Sequence, residues 1–96
     1  MKTIVIDGRR MTGRDEAQAY LAQVIGAPDH YGNNLDALYD VLTGYAGQTR
    51  FVICNAAAAE QNLGGYARAI LRVFCDAAAE NGAITVEIVP AEPCGN

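Results

Sequence analysis

The side chains that could do chemistry in this chain are few. Asp36, Asp40 and Asp76 could supply an acid and a base, Cys54 or Cys75 could act as a nucleophile beside the single His30, and Tyr39 and Thr43 carry hydroxyls. A carboxylate pair alone specifies no reaction, because general acid–base work also needs a positioned substrate. Cys54 falls in a strand-like run and Cys75 in the middle of a helical one, where burial as a small hydrophobe is the expectation. Gly64-Gly65 lacks the strand, loop and helix context of a phosphate site, and the one lysine, Lys2, is remote. The three cysteines include no Cys-x-x-Cys pair, so neither a zinc site nor a metal cofactor is expected; free thiols in a reducing compartment are. The composition points away from an enzyme and requires no cofactor.

The carboxylates have a different logic when read on a helix. From about Asn34 to Thr43, Leu35, Leu38 and Leu42 recur at i, i+3, i+7 with Val41 beside them, the spacing of a core-facing stripe. Asp36, Tyr39, Asp40 and Thr43 recur at i, i+3, i+4, i+7 on another side. Asn33 or Asn34 can cap the start, and Gly44 is predicted to end the helix in a left-handed conformation. The two aspartates repel at i, i+4, at a cost of roughly 0.2–0.5 kcal/mol, and the helix dipole disfavours Asp40 in the last turn. A solvated face would explain the pattern, and so would a face held for a cationic partner.

The elements that must position this helix follow from the same rules. Lys2 to Ile6 reads as a strand stopped by Asp7-Gly8. Thr12 is the predicted cap of a helix whose face is Ala17, Tyr20, Leu21, Val24 and Ile25, ending at Gly26. Arg9, Arg10 and Arg14 read as a solvated loop edge. Phe51 to Cys54 reads as a strand covered on both faces, Asn55 to Gln61 as a short alanine-rich helix, and Tyr66 to Asn81 as the longest helix, closed by Gly82. On it Arg72 and Asp76 form an i, i+4 pair. Ile84 to Val89 is the last strand, and Ala91 to Asn96 reads as a loose tail. Strands separated by helices predict a parallel sheet with right-handed crossovers, an α/β fold in one domain.

Ninety-six residues suffice for one core, and 51% apolar content argues against disorder. No run is long enough to span a membrane and no signal peptide opens the chain, so the expected location is the cytoplasm. A formal charge of −4 makes direct nucleic-acid binding unexpected and suits a basic protein partner.

The run Tyr31-Gly32, Asn34-Leu35-Asp36-Ala37-Leu38, Asp40 and Leu42-Thr43-Gly44 resembles the barstar family of intracellular ribonuclease inhibitors. The match extends more faintly over residues 1–90, through the first strand, the Val73-Phe74 helix and the closing strand. The resemblance implies a three-stranded parallel sheet packed against about four helices, free as a monomer. It implies that the loop before the acidic helix and the helix itself block the basic cleft of a small extracellular, barnase-like ribonuclease in a 1:1 complex. Carried over by position, Asp36, Asp40 and Thr43 match the family's binding aspartates and threonine. Tyr39 and Tyr45 stand where its best-known member has tryptophans, His30 where it has tyrosine, and Asp76 where it has glutamate. With Asn34 these are the implied partner-binding residues. A barstar-like module that binds some other basic protein is the alternative reading.

Overall fold

The computed structural model describes residues 2–28 and 31–90. Three strands, β1 (Lys2–Asp7), β2 (Thr49–Cys54) and β3 (Ile84–Val89), pair in parallel in the order β1-β2-β3. Their register sets Ile4 beside Phe51 and Val86, and Ile6 beside Ile53 and Ile88. Because side chains alternate along a strand, these residues share one face, which floors the core except at Ile88, 37% exposed on the edge strand β3. Four helices accompany the sheet: α1 (Arg14–Ile25), α2 (Leu35–Thr43), α3 (Ala56–Leu63) and α4 (Gly65–Glu80). α1 packs on β1, α4 on β3, and α2 on α4. Leu21, Leu38, Leu42, Phe51, Ile53, Ile70 and Phe74 are all fully buried in a single cluster. This is the α/β architecture expected from the spacing of apolar residues.

β2 differs from the expectation of a strand covered on both faces. Its outward face carries Arg50 and the half-buried Val52, flanked by Val5, which is 42% exposed, and by Glu87. Arg50 and Glu87 pair across it. Two lateral neighbours, not a second helical layer, shield the centre of this strand.

Three helix ends also depart from the sequence reading. The cap of α1 is Gly13, not Thr12, and the Gly13 carbonyl takes the first helical bond from the Ala17 N–H at 2.8 Å. A Cβ at position 13 would lie 2.3 Å from Glu16 Oε1, so the folded-back carboxylate occupies the space of a side chain. Gly44 is right-handed (φ −89°, ψ −3°), not left-handed. The carbonyls at that end are met from outside: the Asn81 amide donates to the carbonyls of Leu42 (3.1 Å), Thr43 (3.2 Å) and Tyr45 (3.0 Å). A left-handed turn is unnecessary when another side chain supplies the donors. Asn81 rather than Gly82 closes α4.

The cysteines complete the corrections. Cys54 is buried as expected, its Sγ 3.4 Å from the Ile6 carbonyl oxygen. Cys75 is an exposed free thiol, because it falls on the solvent side of α4, opposite Ile70, Phe74 and Ala77. The expected tail beyond Pro90, with Cys94, lies outside the described residues. No helix among the described residues is long and apolar enough to cross a membrane.

Candidate functional site

The acidic face forms as its spacing predicts. Asn34 is the N-cap of α2, its Oδ1 accepting the Ala37 N–H at 2.8 Å. Asn33 takes the left-handed conformation (φ 53°), which asparagine tolerates better than most residues and which turns the loop into the helix. Leu38 and Leu42 are buried and Leu35 and Val41 partly so, which leaves Asp36 and Asp40 exposed on the other side. Neither aspartate has an ion-pair partner among the described residues. Two like charges one turn apart, both exposed and uncompensated, make this a locally negative surface.

Thr43, Tyr39 and Tyr45 are turned more inward. The Thr43 hydroxyl donates back to the carbonyls of Tyr39 (2.9 Å) and Asp40 (3.2 Å). Tyr39 is partly buried against the core. Tyr45 stacks edge-on to Phe51, with centroids 5.4 Å apart, and its hydroxyl donates to the Ile25 carbonyl. Burial raises the Tyr45 phenol above its ordinary pKa. Asp76 is exposed on α4, the helix that packs on α2, and lies 3.9 Å from Arg72. The structure thus brings Asn34, Asp36, Tyr39, Asp40, Thr43 and Tyr45 onto one helix and its flanks, with Asp76 on its neighbour. His30 lies outside the described residues.

Two hollows flank the loop that leads into α2. One of about 190 Å³ is lined by Pro28, Tyr31, Gly32 and Asp40. The other, of about 420 Å³, runs between the first turns of α1 and α2 and is lined by Arg14, Asp15, Gln18, Asn34, Asp36 and Tyr66. Tyr31 lines the smaller one, and its phenol is pushed up to about 12, chiefly by burial. It donates to Gln18 Oε1 at 2.6 Å, and Gln18 Nε2 donates to the Tyr66 hydroxyl at 2.7 Å.

Gln18, Tyr66 and Asn81 were not singled out by residue type. Gln18 had a signal: it stands at i, i+3, i+7 with Leu21 and Ile25, a polar side chain on the apolar stripe. Asn81 had none, since its partners are 36–39 positions away. The three arginines form no common site. Arg9 pairs with Asp7, Arg10 lies over the Tyr20 ring and Arg14 over the Tyr66 ring. No His, Cys, Asp and Glu group able to hold a metal occurs among the described residues.

The family model described as "Barstar (barnase inhibitor)" matches residues 1–89. The chain belongs to the barstar family. It is also 37% identical over 81 residues to the Bacillus subtilis (strain 168) protein named "Putative ribonuclease inhibitor YrdF", a match covering 83% of this chain and 89% of that protein. Barstar-family proteins are inhibitors rather than enzymes, and α2 gives this chain an exposed acidic helix face.

Proposed function

We propose that this protein is the cytoplasmic inhibitor of a small, basic, secreted ribonuclease, an antitoxin that protects a bacterial producer from its own nuclease. The observation that carries this reading is the couple Asp36 and Asp40 on α2, exposed and without an ion-pair partner among the described residues, in a chain of the barstar family. A ribonuclease holds RNA phosphates with Arg, Lys or protonated His, so its cleft is a positive cavity. Asp40, beside the smaller hollow, takes the place of a phosphate and accepts hydrogen bonds from those cations. Such charge-assisted bonds are stronger than neutral ones. Asp36 meets a second cation, and Asp76 one at the rim. Asn34 and His30 contribute from the loop, and Tyr39, Thr43 and Tyr45 shape the wall. The carboxylates perform no chemistry; they occlude the site in a 1:1 complex.

Isothermal titration against a barnase-type ribonuclease from the same source tests the assignment. Asp40→Ala weakens binding more than Asp76→Ala, because Asp76 stands near Arg72 and at the margin. Its effect on fold stability is small, since Asp40 is exposed and its removal relieves a like-charge pair. Equal or reversed losses would sink the assignment. Absence of binding by the folded, unsubstituted protein would favour a different basic protein as partner.

A further inference from the structure

The loop that delivers α2 is held by a side chain that no partner can reach. Gln18 projects from α1, is 2% exposed, and uses both ends of its amide, as acceptor for the Tyr31 hydroxyl (2.6 Å) and as donor to the Tyr66 hydroxyl (2.7 Å). Three elements therefore meet at one amide: α1, the loop and the first turn of α4. Tyr66 is fixed in turn by the Arg14 guanidinium, 4.6 Å from its ring centroid. On the loop side the Tyr31 N–H donates to the Pro28 carbonyl at 2.9 Å, just ahead of Gly32, Asn33 and Asn34.

We propose that Gln18 is a positioning residue for the partner-binding surface, fixing the 31–34 loop before the partner arrives by joining Tyr31 to Tyr66. The inference rests on the inhibitor reading for its consequence, though not for its structural part. A buried polar chain that is fully satisfied specifies one arrangement, and losing one member leaves the others unpaired. A loop already in its bound conformation has no ordering cost left to meet on association. Without Gln18 the competent loop conformation becomes one of several, and apparent affinity falls in proportion to its population.

The test uses Gln18→Leu, which keeps the bulk and removes both hydrogen bonds, with Tyr31→Phe and the double variant beside it. In the protein alone, Gln18→Leu speeds amide exchange at Tyr31 about tenfold, while exchange at Ile53 and Phe74 stays as in the parent. Tyr31→Phe reproduces that change, and the double variant adds nothing, because the two substitutions break the same link. Against the barnase-type ribonuclease, Gln18→Leu weakens binding about tenfold, mostly through slower association, because the bound loop is the same once formed. Unchanged exchange at Tyr31, or equal acceleration throughout the core, overturns the proposal. Loosening of the loop with unaltered affinity overturns its functional half. If the parent binds no such ribonuclease, the inhibitor reading has failed, and the exchange data alone decide whether Gln18 fixes the loop.

Discussion

Asn81 is where one substitution should reveal how α2 is held. Its amide has two N–H bonds and serves three carbonyls, at 3.1, 3.2 and 3.0 Å, while its Oδ1 accepts the Ala83 N–H at 3.0 Å. Two donors and one acceptor, at about 1 kcal/mol net for each hydrogen bond, give about 3 kcal/mol. Asn81 is only partly buried, so water recovers some of this in Asn81→Ala and about 2 kcal/mol remains lost. With a urea slope of about 1 kcal/mol per molar for a chain this small, the midpoint falls by about 2 M. Asn81→Asp separates this account from a general loss of packing. It keeps the shape and the acceptor, removes both donors, and sets an anion against three carbonyls at the negative end of α2. At pH 7 it should be less stable than Asn81→Ala by a further 0.3–1 kcal/mol or so, with the gap closing near pH 3 as the carboxyl protonates. Urea unfolding at both pH values is the assay. An aspartate variant as stable as the alanine variant at pH 7 would refute the reasoning.

Gly8→Ala should cost about 3 kcal/mol, an overpacking loss, because the added Cβ would sit 2.2 Å from the Asn55 carbonyl oxygen; thermal unfolding reads it. Asp7 accepts from the Arg9 side chain, the Arg9 N–H and Asn55, and these bonds, led by the Arg9 side chain, hold its pKa below the ordinary value. A lowered folded pKa gives stability that is present above the usual carboxylate range and lost as the pH falls through the folded value, so Asp7→Asn should flatten the acid-unfolding profile. In the native protein a maleimide should label the exposed Cys75 and spare the buried Cys54.

Most of the fold was legible because it rests on short-range periodicity. The strands are apolar runs between turn residues, and α2 declares both faces through the spacing of Leu35, Leu38 and Leu42 against Asp36 and Asp40. Part of what failed depended on contacts distant in sequence, and part on local detail that residue type alone does not carry. Gly44 carried the signature of a left-handed end, yet Asn81, far along the chain, supplies the donors that make that turn unnecessary. Thr12 lost the cap to Gly13, over which Glu16 folds. Cys75 looked buried by position, but a one-residue rotation from Phe74 puts it in solvent. At the candidate site the charged residues could be named from type and spacing. The Gln18 link could not, because its partners Tyr31 and Tyr66 meet only once α1, the loop and α4 are assembled.

If the acidic face of α2 plugs a basic catalytic cleft, inhibition of the nuclease is the property to measure. Purified protein would be titrated into the active barnase-type ribonuclease of the same source, at low and high salt. Inhibition should be complete at one equivalent, with affinity falling as salt screens the opposed charges. Undiminished ribonuclease activity at excess folded protein in low salt would contradict it.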